Sequence, residues 1–110
     1  QETRGMVDGA ALDALPSGAI LVNAARGGIV VEAALLDALE SGHLACAGVD
    51  VWEEEPAPNP RLAAHPRVVA TPHVGAATDE ARARTAHFAA RTLQRWWENP
   101  DSDLPTPQWI

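Results

Sequence analysis

The order of elements written into this chain predicts an α/β fold on a parallel sheet. Three observations carry that reading. Short continuous apolar runs are bounded by turn residues, a helical 3.6-residue period separates the first two, and a long alanine-rich helical segment follows the third. Composition agrees: 110 residues with 46% hydrophobic and 21% charged side chains have the balance of a globular chain of one domain at most.

Taken in order, Gly9 to Leu15 is a short helical stretch closed by the turn cluster Pro16-Ser17-Gly18. Ala19 to Asn23 is a continuous apolar run, expected to be a strand buried on both faces. Leu35, Leu36 and Leu39 then form an apolar stripe on a helix from Glu32 to Ser41, with Gly42 as its left-handed cap. Ala45 to Val51 has strand character broken by Gly48. The acidic, proline-rich stretch Glu53 to Pro60 is expected to be neither helix nor central strand. Val68-Val69-Ala70 is a very short strand closed by Thr71-Pro72. Thr78 has the chemistry of an N-cap, with Asp79 and Glu80 where a helix dipole favours carboxylates. The helix continues over Ala81 to Glu98 with an expected inward face of Ala86, Ala89, Leu93 and Trp96 or Trp97, and Asn99-Pro100 stops it. The domain reading is therefore 1–98, followed by an irregular tail over 99–110.

Several function classes drop out. There is no lysine and no tyrosine, so a P-loop lysine, a Schiff base, a pyridoxal phosphate linkage and a Tyr/Lys-activated dehydrogenase site are excluded. The lone Cys46 rules out an intrachain disulfide or thiolate zinc site and fits a reducing, cytoplasmic setting. A net charge of −7 argues against nucleic acid and anionic membrane surfaces as partners. No apolar run approaches the ~20 residues of a membrane span. The first residues, Gln1-Glu2-Thr3-Arg4, have no signal layout and no initiator Met, which suggests a chain beginning inside something longer.

A parallel sheet offers its ligands the carboxyl ends of its strands. Past the first strand stands Arg26 with Gly27 and Gly28, past the second Asp50 and Glu55, past the third His73. Strands ~4.8 Å apart would bring these groups within reach of one small molecule. Each alone has a plainer reading. Arg26 would be a solvated loop cation, Glu53-Glu54-Glu55 an exposed acidic face, Asp50 a turn residue and His73 a structural histidine. The spacing of His43, His65 and His87 matches no metal site. What raises the set above its members is that all fall on one rim.

The stretches Glu2-Thr3-Arg4-Gly5, Gly18 to Gly28, Gly48-Val49-Asp50-Val51-Trp52-Glu53-Glu54-Glu55-Pro56 and Thr71-Pro72-His73-Val74-Gly75-Ala76 resemble the D-2-hydroxyacid dehydrogenase family in order and spacing, as far as about Arg95. The resemblance implies the second half of a doubly wound, Rossmann-type dinucleotide-binding domain, present as a fragment. It implies hydride transfer between NAD(H) and a D-2-hydroxy or 2-keto acid. Arg26 would bind the substrate carboxylate, His73 would be the acid/base and Glu55 its partner, a carboxylate that orients the ring. Asp50 would contact the nicotinamide end of the cofactor, with Ala24, Ala25, Arg26 and the backbone of His73, Val74, Gly75 and Ala76 lining the same site. A homodimer through the cofactor domain is implied as well. The phosphate loop and the ribose-reading acid of the family belong upstream of Gln1, so both NAD and NADP fit.

The chain departs from the family pattern at Val31, where a capping Asp is usual, and at Trp52, which replaces a smaller aromatic and is expected to narrow the substrate pocket. Two other readings compete: a corepressor-like module that senses a dinucleotide without turnover, and an inactive piece whose open sheet aggregates or stays partly unfolded.

Overall fold

The computed structural model describes residues 2–100. Most of the expected tail, 101–110, lies outside them. The chain divides into two compact units, Gln1–Gly75 and Ala76–Ile110.

The first unit runs α1 (Gly9–Asp13), β1 (Ala19–Asn23), α2 (Glu32–Glu40), β2 (Leu44–Val49), α3 (Pro60–Ala63) and β3 (Val68–Ala70). All three strands are parallel, in the order β1-β2-β3, with Asn23 beside Val49 and Val49 beside Ala70. Hydrogen bonding continues past the strand ends, from the Asp50 amide to the Asn23 carbonyl and from the Thr71 amide to the Val49 carbonyl, 3.0 Å each. The three carboxyl ends therefore finish level, which aligns the loops that follow them.

The core lies on one face of this sheet. Leu35, Leu36 and Leu39 of α2 pack with Leu12, Leu44, Ala47, Val49, Trp52 and Leu62, as the predicted stripe requires. The helix ends at Glu40 with Ser41 as its C-cap, and Gly42 follows at φ +79°. The other face corrects the expectation of a strand buried on both sides: Ile20, Val22 and Val69 are 67%, 72% and 71% exposed. In a parallel strand, alternate side chains point to opposite faces, and α2 and α3 cover only one of them.

Smaller differences have local causes. The first helix stops at Asp13, and the second strand is Leu44–Val49, passing through Gly48 without a break. Within the stretch assigned to loop, Pro60 starts a one-turn helix because Asn59 accepts from the Arg61 and Leu62 amides and proline is suited to a first helical position.

The second unit contains α4 (Asp79–Glu98), capped by the Thr78 hydroxyl, which accepts from the Ala81 amide at 3.1 Å, and closed at Asn99. The expected inward face is not buried. No residue of α4 is, and Leu93 and Trp97 are largely exposed. Among the described residues no helix is long and apolar enough to cross a membrane.

Candidate active site

Arg26, Asp50, Glu55 and His73 all stand in loops leaving the level carboxyl ends of β1, β2 and β3, within the first unit. The structure brings His73 and Glu55 together: Nδ1 of the ring lies 2.9 Å from Glu55 Oε2 and 3.1 Å from Oε1. A carboxylate can only accept, so Nδ1 carries the proton and Nε2 is the nitrogen left for chemistry. Glu55 also accepts from the Trp52 amide at 3.1 Å. The His73 ring, and after it the Trp52 amide, hold the Glu55 carboxyl below its ordinary value.

His73 has φ +55°, the one positive φ outside glycine among the described residues. A left-handed histidine persists when its neighbours are fixed, and here they are. Asp50 Oδ1 accepts from the Thr71 hydroxyl at 2.5 Å and the Val74 amide at 2.8 Å, while Oδ2 accepts from the Gly75 amide at 2.8 Å. These bonds, the Thr71 hydroxyl first, hold the Asp50 carboxyl below its ordinary pKa. The plain reading of Asp50 as a loop-holding residue is thus part of its work. A carboxylate oxygen has two lone pairs, so Oδ2 keeps acceptor capacity beside the Gly75 amide for a donor such as a carboxamide, and the neighbouring Ala24 and Ala25 are small and exposed. Those features fit a nicotinamide end.

Arg26 is exposed, and its guanidinium donates to the adjacent Ala25 carbonyl at 2.7 Å. Its loop is shaped by buried Asn23, whose Oδ1 accepts from the Ala25 amide and whose Nδ2 donates to the Arg26 carbonyl, 3.3 Å each. Gly28 turns the chain at φ +76°. Gly27 answers to a close approach of the main chain: a Cβ there would sit 1.8 Å from the Trp52 carbonyl oxygen. Ala76 opens the second unit.

The acidic run is more than a solvated face. Glu53 Oε1 accepts from the Glu32 amide at 2.9 Å and Glu32 Oε1 accepts from the Glu53 amide at 2.7 Å. Val31 makes no side-chain cap, so Glu53 reaches in from β2's loop to cap α2. Trp52, expected to narrow a pocket, is 5% exposed in the core cluster, although it also borders a cavity of about 290 Å³ with Glu55, Pro56 and Thr71. Among the described residues no cluster of three His, Cys, Asp or Glu side chains could hold a metal ion.

The level carboxyl edge of this parallel sheet therefore carries a guanidinium, a carboxylate-bound imidazole and a loop-holding aspartate. Residues 1–75 match the model of the D-isomer specific 2-hydroxyacid dehydrogenase NAD binding domain, and the chain belongs to that family. It is 49% identical over 86 residues to D-3-phosphoglycerate dehydrogenase of Bacillus subtilis (strain 168), covering 78% of this chain and 16% of that protein. To glyoxylate reductase of Pyrococcus furiosus it is 47% identical over 93 residues, 84% of this chain and 28% of that one. Its backbone is similar to a glyoxylate reductase from Paecilomyes thermophila (TM-score 0.88, 33% identity, 99% of this chain and 33% of that chain). The same holds for an NADPH-dependent glyoxylate/hydroxypyruvate reductase from Sinorhizobium meliloti in complex with NADP and malonate (TM-score 0.86, 34% identity, 96% and 33%). The chain spans from about a sixth to a third of the length of these relatives.

Proposed function

We propose that these residues form the catalytic half of a cofactor domain in an NAD(P)-dependent oxidoreductase that interconverts a D-2-hydroxy acid and its 2-keto acid. The observation that carries the reading is the His73–Glu55 pair at 2.9 Å on the strand-end rim that Arg26 shares. When bound, the nicotinamide dinucleotide supplies or accepts the hydride. Arg26 presents a planar fork of donors suited to a carboxylate. His73 holds a proton at Nε2 for the carbonyl oxygen in the reducing direction and takes the hydroxyl proton in the other, while Glu55 keeps Nδ1 as the donor and the ring in place. Asp50 and Gly75 border the cofactor side of the rim. The names of the relatives point to small acids such as glyoxylate or a phosphoglycerate. A homodimer in a cytoplasmic setting, and a polypeptide that also carries a phosphate loop and a substrate domain, complete the reading.

The enzyme that contains these residues should oxidise NADH or NADPH when offered a panel of small 2-keto acids. A dinucleotide sensor would bind the cofactor and show no appreciable oxidation with any of them, and that outcome would refute the proposal.

A further inference from the structure

Trp52 touches all three loops that carry the candidate chemistry, each by a different atom. Its amide donates to Glu55 Oε1 at 3.1 Å. Its indole Nε1–H donates to the Thr71 carbonyl at 3.0 Å, two residues before His73. Its own carbonyl oxygen occupies the space that any side chain at position 27 would need, against the loop of Arg26. The ring is buried, so these contacts have a fixed base.

Consider what holds the His73 loop. Downstream, the Val74 and Gly75 amides are fastened to Asp50. Upstream, the Thr71 hydroxyl is bonded to Asp50 and the Thr71 carbonyl to the indole of Trp52. Pro72 restricts the single link between Thr71 and His73. His73 is therefore stretched between two anchors in a left-handed conformation that a free loop would populate sparsely. The Trp52 anchor is the one that also fixes Glu55, so the same residue sets the imidazole and the carboxylate relative to each other.

We infer that Trp52 is a positioning residue for the candidate active site, aligning His73 with Glu55 through its indole N–H and holding the Arg26 loop through its carbonyl. The catalytic consequence rests on the dehydrogenase reading; the geometric one does not. A smaller aromatic at this position would keep both main-chain contacts and lose the indole bond, so the bond belongs to the tryptophan of this chain.

The test replaces Trp52 by 3-benzothienylalanine in the intact enzyme, a side chain of the same shape with sulfur in place of N–H. Loss of one buried hydrogen bond that orients the catalytic pair should lower kcat about five- to tenfold. KM for the keto acid should stay within about twofold, since no substrate contact is removed. The Glu55 carboxyl, followed by carbon NMR, should titrate at higher pH than in the parent, because His73 is the main group holding it down. A variant with reduced thermal stability but unchanged kcat and unchanged Glu55 midpoint would overturn the inference, leaving Trp52 as a core side chain. If the parent showed no turnover, the dehydrogenase reading would fail, and the Glu55 midpoint would still decide the role of Trp52. Trp52→Phe, which also lacks the N–H, carries the same expectation should the analogue fail to fold.

Discussion

Replacing Gly27 by Ala probes the tightest approach at the rim. The new Cβ would lie 1.8 Å from the Trp52 carbonyl oxygen and 2.5 Å from its carbon, where ordinary contacts begin near 3.4 Å. Neither partner can give way cheaply. Moving Trp52 by more than an ångström breaks its bonds to Glu55 and Thr71, and moving the Arg26 loop breaks the two bonds from Asn23. Overpacking costs about 1–3 kcal/mol and each lost hydrogen bond about 1, so a destabilisation of about 3 kcal/mol is expected. Because a shift of this size misplaces the Arg26 guanidinium or the His73–Glu55 pair, turnover with a keto acid should fall about 100-fold. Gly48→Ala is the control, since its Cβ would meet Val22 at 3.6 Å, an ordinary contact, and activity should be retained. Parent-like stability and kcat in Gly27→Ala would refute the claim that the Trp52 carbonyl fills that space.

Further expectations concern the supports of the site and the open sheet. Glu53→Ala removes the acceptor that caps α2 and should cost about 1 kcal/mol in denaturant unfolding, with turnover little changed; an unchanged midpoint would contradict the capping assignment. Asp50 and Glu55 are both held below their ordinary values, so their contacts contribute stability above the ordinary carboxylate range and lose it as pH falls through the lowered values. The Gly75 and Trp52 amide resonances should therefore stay put from neutral pH down through that range and move only below it; movement at the ordinary values would remove the basis for both pairs. The isolated 110 residues should self-associate through the face bearing Ile20, Val22 and Val69, and Val22→Lys should relieve it. A dilute monomer with a sharp, reversible thermal transition would show that reasoning to be wrong.

Much of the fold was legible because it follows local rules. Asn23 and Ala70 close their strands where the apolar runs stop, Gly42 ends α2, and Thr78 and Asn99 bracket α4, all through backbone chemistry that a sequence carries in single residues. The short helix that Pro60 opens after Asn59 was readable in the same terms, as an N-cap followed by a proline, but the proline-rich context hid it. Long-range compensation was not readable. Val31 announces a missing cap, yet nothing local says that Glu53, 21 residues beyond Glu32, will provide it. The sheet face was misjudged because a run of apolar residues does not reveal how many helices are present to cover it.

The site divides along the same line. That Arg26, Asp50, Glu55 and His73 share a rim followed from strand order, and Glu55 meets His73 as the family resemblance implied. The residues that hold them there were missed. Asn23 could have been suspected as an Asx-turn former at a strand end, and Thr71 as a hydroxyl one step before a proline, but their partners are set by tertiary register. The indole bond of Trp52 spans 19 residues and has no sequence signal beyond the presence of a buried tryptophan needing an acceptor.

Single-turnover hydride transfer from reduced dinucleotide to a 2-keto acid, measured at saturating cofactor for His73→Asn in the intact enzyme, addresses the proton-transfer assignment most directly. The rate should drop about 100- to 10,000-fold while cofactor affinity is retained. A rate close to that of the parent would show that the imidazole held by Glu55 is not the group that moves the proton.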